Sequence, residues 1–245
     1  MGYIEHSTLK PVDTVDGSAN GGSLNKLEAI IFDLDGTLAD VSLDFDLMKT
    51  KIAALGEVFL DERPTPGETP ALEWLEELVQ QTMLRDRDEA MEFRTRGRLV
   101  ITAMELDAAR DGRLFDFTRP ALETLSRRGV ASGIITRNIS AAVRTVFPEI
   151  ESMVQAFIPR EIAVRLKPAP EHLFQALDVL GVQASSSLMV GDHPMDVMTA
   201  KNAGAISAAV TSGSVGADEF KALSPDFIAS DVEELMDQLI RNGLV

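Results

Sequence analysis

Two aspartates separated by one residue, Asp33 and Asp35, follow directly on the apolar segment Ala-Ile-Ile-Phe. The apolar segment is typical of a buried strand, and residues i and i+2 of an extended chain project to the same side. The two carboxylates therefore lie close together at the end of a strand, where their repulsion requires a nearby positive charge. Gly36 permits the chain to turn sharply after them, and the Thr37 hydroxyl can hydrogen-bond within that turn.

Three later segments carry further polar groups next to predicted strands or helices. The predicted strand that ends at Thr136 is followed by Arg137 and Asn138, and GDHPMD places Asp192 and Asp196 one helical turn apart. Lys167 stands just ahead of a predicted helix. Because the carboxyl ends of parallel strands meet at one edge of a sheet, we expect these groups to converge on the first aspartate pair.

Such a cluster has the composition of a site for a metal ion and a phosphate. Clustered aspartates without histidine or thiol ligands suit a hard divalent cation, Mg²⁺ by preference. Lys167, the Thr136 hydroxyl and backbone N–H groups are donors for a tetrahedral oxyanion such as phosphate. A metal-bound carboxylate beside phosphorus can attack in line to give an aspartyl-phosphate. Asp35 can then protonate the leaving oxygen and later take a proton from water.

The composition excludes several other classes of function. The 245-residue chain has a net charge of -16, which argues against nucleic-acid binding through a basic surface and against a polybasic membrane anchor. It has no cysteine, so thiolate catalysis and cysteine zinc sites are excluded, and its three histidines are widely scattered. No run approaches the roughly 18 apolar residues of a membrane span, so we expect a cytoplasmic protein. The sequence carries no signal for the oligomeric state.

Hydrophobic periodicity predicts alternating strands and helices. This alternation indicates a doubly wound α/β fold with a mostly parallel sheet that is covered on both faces. The strands are predicted at 29–33, 130–136, 187–191 and 205–210, and the helices that follow them at 138–147, 169–180, 194–203 and 231–242.

The chain divides into three parts. Residues 1–26 are polar and lack an apolar period, which favours a flexible N-terminal extension. Residues 27–40 and 116–245 form the predicted α/β catalytic core. Residues 41–115 contain only helical patterns, at 45–55, 70–84 and 86–109, and enter just after the first strand. We expect an all-helical cap subdomain that overhangs the site, with additional scaffold as the alternative.

The motifs resemble those of a known family. DLDGT at 33–37, the threonine of IITRN, the lysine of KPAPE and GDHPMD at 191–196 resemble, in order and spacing, the four motifs of the haloacid dehalogenase-like (HAD) hydrolase superfamily. The resemblance covers residues 27–245. The helical insertion is similar to the cap of the phosphoglycolate phosphatase and β-phosphoglucomutase branch. The fold that this implies is a Rossmann-like core with an inserted cap.

The resemblance also implies a role for each motif residue. It implies that Asp33 is the nucleophile and Asp35 the acid and base, with Thr136 and Lys167 binding phosphate. Mg²⁺ would be held by Asp33, the Asp35 carbonyl and Asp192. The same resemblance implies that Asp196 takes part in metal binding, directly or through water.

Two positions depart from the family pattern. The second motif of this branch commonly reads Thr-Asn followed by a small residue, whereas here Arg137 intervenes before Asn138. Arg137 can bind a substrate carboxylate or second phosphate, or point to solvent. His193 replaces a usual Ser or Thr, and we expect a partly exposed loop residue with one hydrogen bond, with a part in catalysis as the alternative.

The functional hypothesis is a Mg²⁺-dependent phosphatase that acts on a small phosphorylated metabolite through an aspartyl-phosphate. A sugar phosphomutase is the alternative, because it has similar motifs and differs in how its cap admits water. A non-catalytic phosphate-binding regulator is disfavoured, since no essential group is missing. Haloacid dehalogenation is also disfavoured, because Asp35 is an acid that this chemistry does not use.

Overall fold

The computed structural model describes residues 26–245 of the chain. The predicted flexible extension therefore lies outside the described residues, apart from Lys26. Within the described part, no helix combines the length and the apolar character that crossing a membrane requires.

Six parallel strands of the described chain form one sheet. The strand order is β5-β4-β1-β6-β7-β8, so β1 lies in the interior between β4 and β6. This confirms the predicted doubly wound α/β fold. The strands are β1 (Ala29–Phe32), β4 (Ala131–Ile135), β5 (Ala156–Ile158), β6 (Ser187–Gly191), β7 (Ile206–Val210) and β8 (Phe227–Ala229).

Helices cover both faces of the sheet because successive strand residues point to opposite sides. Ile30 and Phe32 of β1 belong to one apolar cluster, whereas Ile31 belongs to the cluster on the other face. The helices of the α/β part are α4 (Thr118–Arg128), α5 (Ser140–Val146), α6 (Ile150–Met153), α7 (Pro170–Leu180), α8 (Pro194–Ala203), α9 (Ala217–Leu223) and α10 (Val232–Arg241).

The predicted helical insertion is formed by α1 (Phe45–Gly56), α2 (Ala71–Met83) and α3 (Arg87–Asp111). These helices pack around an apolar cluster of their own, which includes Trp74 and the stacked rings of Phe59 and Phe93. We predicted only helices for residues 41–115, and this prediction is wrong in one respect. Two short antiparallel strands, β2 (Ala39–Asp40) and β3 (Arg113–Leu114), pair where the chain enters and leaves the helical insertion.

Candidate active site

The first aspartate pair lies at the carboxyl end of the interior strand β1. The backbone N–H of Asp33 donates to the Val190 carbonyl at 2.8 Å, so Asp33 continues the hydrogen bonding of β1 beyond its last residue. Gly36 has a φ of 81°, a left-handed conformation that favours glycine, and it turns the chain away from the sheet. The predicted turn therefore leaves Asp33 and Asp35 at the sheet edge.

Two side chains from the end of β4 hold the carboxylate of Asp35. The Thr136 hydroxyl donates to it at 3.4 Å, and the Asn138 amide contacts both of its oxygens at 3.3 Å. The Asn138 backbone N–H in turn donates to Thr136 Oγ1 at 3.0 Å. Asn138 was expected at this edge of the sheet because it follows Thr136 by two residues, but no role at the site was predicted for it.

Lys167 lies in the middle of the carboxylates. Its Nζ is 2.7 Å from Asp33 Oδ1 and 2.6 Å from Asp196 Oδ1, and the residue is 1% exposed. Burial by itself lowers the pKa of this amine, but the carboxylates of Asp196 and Asp33 outweigh burial and raise the pKa. Lys167 is therefore a buried ammonium ion that joins two of the predicted site carboxylates.

A buried histidine holds the backbone of Lys167. His172 Nδ1 accepts the Lys167 N–H at 3.3 Å, and Nε2 lies 2.9 Å from the carbonyl of Ile158. Burial lowers the pKa of His172 to about 4, so the ring is neutral and its Nε2–H is the donor to Ile158. The wide spacing of the three histidines in the sequence gave no signal for this role.

The fourth motif contributes two carboxylates with different surroundings. Asp192 accepts a hydrogen bond from the Thr37 hydroxyl at 3.2 Å. Asp196 uses its second oxygen to accept the His193 backbone N–H at 3.1 Å. His193 is the N-cap of α8, where its Nδ1 accepts the Met195 N–H at 3.2 Å. It is thus an exposed capping residue, close to the expectation of one hydrogen bond at a partly exposed position.

Three glycines make room for these carboxylates. A Cβ at Gly213 would lie 1.8 Å from Asp192 Oδ2, and one at Gly36 would lie 2.3 Å from the same atom. A Cβ at Gly191 would lie 2.2 Å from the carboxyl group of Asp196. The loop after β7, which contains Gly213, was not predicted as part of the site, because a single glycine carries no spacing signal.

The site holds more negative charge than its lysine neutralises. Carboxylate oxygens of Asp33, Asp192 and Asp196 all lie within 4.8 Å of one another. Burial, reinforced by the charge of Asp33, raises the pKa of Asp35 to about 7. Burial together with the charges of Asp33 and Asp196 raises the pKa of Asp192 to about 8, and burial raises that of Asp196 to about 6 although Lys167 opposes it. A site with excess negative charge and only oxygen ligands suits a hard divalent cation.

Arg137 is partly buried against the helical insertion, with its side chain 17% exposed and paired with Glu73, so the solvent alternative is wrong. Its NH1 donates to the Lys167 carbonyl at 2.7 Å, and its NH2 donates to Glu73 of α2 at 2.6 Å. Arg160 makes a second contact to the insertion, with NH2 donating to Glu105 of α3 at 2.7 Å. Neither Glu73 nor Glu105 was predicted, because long-range ion pairs leave no local pattern.

Comparison with known proteins identifies the family of the chain. A sequence model of the family described as haloacid dehalogenase-like hydrolase matches residues 30–210, which include all the predicted site residues. The fold and the match define a hydrolase with a Rossmann-like core. The chain belongs to the haloacid dehalogenase-like hydrolase family.

The similar curated proteins are named as phosphatases. A phosphoglycolate phosphatase from Vibrio parahaemolyticus is 27% identical over 219 residues, covering 86% of this chain and 95% of the relative. A pyrophosphatase PpaX from Halalkalibacterium halodurans is 24% identical over 217 residues, covering 86% and 96%. The crystal structure of a hydrolase from Pseudomonas syringae has the same fold, with a TM-score of 0.64, 17% identity and coverage of 87% of this chain and 98% of that one.

Proposed function

We propose that this protein is a Mg²⁺-dependent phosphomonoesterase that hydrolyses a small phosphorylated metabolite, as the names of its phosphoglycolate phosphatase relatives suggest. One observation carries the proposal: Asp33 shares a buried site with Lys167 and two further carboxylates, and Asp35 lies beside it with a raised pKa. This combination supports the proposal, because the candidate nucleophile, the candidate phosphate-binding cation and the candidate proton donor lie together at one sheet edge.

Asp33 is the proposed nucleophile. The contact between Asp33 Oδ1 and Lys167 Nζ, at 2.7 Å, fixes the orientation of the carboxylate. The attack forms a bond from the carboxylate oxygen to phosphorus and breaks the bond from phosphorus to the ester oxygen, giving an aspartyl-phosphate. Lys167 and Thr136 are the proposed donors to the phosphate oxygens, since a buried ammonium stabilises the charge of the transferred group.

Asp35 is the proposed general acid and base. Its pKa is raised to about 7, because its carboxyl group is buried and lies near Asp33, and a group with this pKa carries a proton in part of the molecules at neutral pH. It can donate that proton to the leaving oxygen and then take one from the water that hydrolyses the aspartyl-phosphate. The contacts from Thr136 and Asn138 keep its carboxyl group in place for both steps.

The proposed ligands for Mg²⁺ are Asp33, the Asp35 carbonyl and Asp192, with Asp196 acting directly or through water. Asp196 already has one oxygen on Lys167 and the other on the His193 backbone, which favours the indirect role. When bound, Mg²⁺ would neutralise the surplus of negative charge and help the site to accept an anionic substrate.

We propose residues 41–115 as the cap and residues 27–40 with 116–245 as the catalytic core. Two contacts support a cap, since Arg137–Glu73 and Arg160–Glu105 hold α2 and α3 beside the phosphate site. A cap that excludes bulk water and large molecules fits a small soluble substrate, and the cytoplasm remains the predicted location. The relatives' names favour a phosphatase over the phosphomutase alternative.

The proposal is tested by measuring phosphate release from a panel that includes phosphoglycolate, pyrophosphate and sugar phosphates. We expect release with Mg²⁺, loss of release with EDTA, and recovery when Mg²⁺ is restored. Metal-independent release would contradict the proposed metal site. If no compound in the panel is hydrolysed but a sugar phosphate is isomerised, the phosphomutase is the correct function.

A further inference from the structure

Two ion pairs connect the long helices of the insertion to the α/β part. In the first, Arg137 NH2 lies 2.6 Å from Glu73 of α2. In the second, the Arg160 guanidinium contacts both carboxylate oxygens of Glu105 on α3, a bidentate arrangement that fixes direction as well as distance. The two pairs are joined, because Arg160 NH1 also donates to the Arg137 carbonyl at 3.0 Å.

Unlike Arg160, Arg137 also contacts the backbone of Lys167, in addition to its contact with the insertion. Its NH1 donates to the Lys167 carbonyl at 2.7 Å, while the Lys167 ammonium contacts Asp33 at 2.7 Å. One guanidinium therefore joins helix α2 to the backbone of the residue proposed to hold the phosphate. A planar guanidinium has several donors in a fixed arrangement and can make both bonds, whereas the compact ammonium of a lysine cannot span them.

The backbone of Arg137 is itself firmly placed. Its two neighbours, Thr136 and Asn138, both donate to the carboxylate of Asp35. The Arg137 side chain thus extends from a backbone position between two site residues and bonds both Glu73 of α2 and the Lys167 carbonyl. A displacement of α2 would therefore disturb the contact of Arg137 with Lys167. The helical insertion is therefore linked to the proposed phosphate site through a single side chain, that of Arg137.

We propose that Arg137 is a positioning residue that couples the closed placement of the helical insertion, through Glu73, to the position of Lys167. In this role the arginine contacts protein groups and affects the substrate through them. When the Glu73 contact is lost, a smaller fraction of molecules has the insertion closed over a correctly placed lysine. The apparent substrate affinity falls in proportion to that fraction.

The same helix offers a matched control. Glu76 lies one turn after Glu73 on α2 and is also an ion-pair partner of arginine, but its partners Arg94 and Arg98 belong to the insertion itself. Glu76→Gln therefore removes the same charge from the same helix without removing a contact to the α/β part. Because Trp74 is the only tryptophan of the chain, its emission reports whether the insertion stays folded in each variant.

The kinetic test compares variants on whichever substrate gives the highest wild-type rate, and it rests on the proposed phosphatase function. For Glu73→Gln we expect KM to rise about fivefold with kcat nearly unchanged, which corresponds to about 1 kcal/mol, whereas Glu76→Gln leaves both constants alone. Arg137→Lys should raise KM by a similar factor and also lower kcat, because the Lys167 carbonyl loses its donor. Adding Glu73→Gln to Arg137→Lys should produce no further change.

Two kinetic outcomes would overturn the proposal. If Arg137→Lys raises KM while Glu73→Gln does not, the arginine acts on the substrate directly. If the effects of the two changes simply add, Arg137 and Glu73 act independently of each other and there is no coupling between them.

A second experiment tests the coupling without measuring enzyme activity. Since the chain has no cysteine, Gln80→Cys on α2 and Ser185→Cys before β6 provide two exposed labelling positions for an interdye distance measurement. We expect a broader distance distribution after Glu73→Gln and an unchanged one after Glu76→Gln. An identical distribution in all three proteins would overturn the proposal even in an active enzyme. If the wild type releases no phosphate, this experiment alone decides the coupling.

Discussion

Acidic side chains have opposite surroundings in the carboxylate site and in the helical insertion. In the insertion, exposed acidic side chains pair with arginines at the surface, as in Glu92 with Arg96, whose side chains are 51% and 53% exposed, whereas the buried Glu105 pairs with Arg160 of the α/β part. At the site, Lys167 and Asp196 pair with side-chain exposures of 2% and 0%. Counting the described residues only, the site has four aspartates for this one lysine: the clustered Asp33, Asp192 and Asp196, and Asp35 beside Asp33.

This difference in exposure shows that the uncompensated negative charge lies at the buried site and not in the exposed ion pairs of the insertion. Exposed pairs are screened by water and contribute little, whereas buried charges interact strongly and are costly to leave without a partner. The raised pKa values of Asp35 and Asp192 express this cost at the site. Burying several carboxylates together is costly for stability, so their arrangement is that of a functional site that could hold a cation.

The largest contrast should come from removing one charge in each region. Asp33→Asn keeps the size of the side chain but removes the proposed nucleophile, so we expect phosphate release to fall by at least about 10³-fold. Asp46→Asn, at an exposed position of α1, should leave the rate within about twofold of the wild type. Steady-state rates with Mg²⁺ provide the comparison, and unfolding curves confirm that both variants fold. Substantial turnover by Asp33→Asn would exclude the aspartyl-phosphate.

Two glycine substitutions compare the site with the insertion by adding a methyl group to each, without changing a charge. Gly213→Ala places a methyl group 1.8 Å from Asp192 Oδ2 and must displace that carboxyl group, so Mg²⁺ affinity should fall about 10- to 100-fold. Gly67→Ala adds a methyl group to open space in the insertion and should have no effect on metal binding. Calorimetric titration with Mg²⁺ measures both. Equal affinities in the two variants would show that the close approach at Gly213 does not position a metal ligand.

The third contrast is in the pH dependence of stability without metal. Unfolded aspartates ionise near pH 4, but the pKa values of Asp35 and Asp192 in the folded chain are raised to about 7 and about 8. The folded state thus holds more protons, and stability should fall on the order of 1 to 2 kcal/mol between about pH 7 and pH 8.5. His172 stays neutral throughout this range, since its pKa is about 4.

Urea unfolding in EDTA at several pH values measures this effect. Mg²⁺ should abolish the fall, because a bound cation favours the ionised carboxylates, and Asp192→Asn should reduce it. Stability that rises over the same pH range in EDTA would contradict the view that the site holds surplus negative charge.

The sequence predicted most of the α/β fold because its elements have strong local patterns. The strands around Ile31, Ile134 and Val190 are apolar runs, and helices α7 and α8 end at glycines with left-handed φ. The missed strands β5 and β8 have three residues each, too few to show a period. Helix α4 was missed between the insertion and β4, although Leu122 and Leu125 mark its buried face.

The candidate site was predictable where chemistry is concentrated in motifs and unpredictable where contacts are distant. Asp33 and Lys167 were predicted to meet because parallel strand ends converge, and their 2.7 Å contact agrees. The roles of Gly213 and Glu73 depend on contacts between residues far apart in the sequence. The pairing of Glu76 with both Arg94 and Arg98, which lie four residues apart on α3, is another such contact.

The smallest effect is expected from an exposed pair within the insertion. Glu92→Gln removes the partner that lies four residues before Arg96, while Arg96 keeps its position over the Phe59 ring. An exposed pair of this kind contributes about 0.3 to 0.5 kcal/mol, so the midpoint of thermal unfolding should fall by no more than about 2 °C, with KM and kcat unchanged. The fall should also shrink in high salt, because salt screens exposed charges. A salt-independent loss of several kilocalories per mole would mean that charges in the insertion are as strongly coupled as those at the site, and the contrast between the two regions would fail.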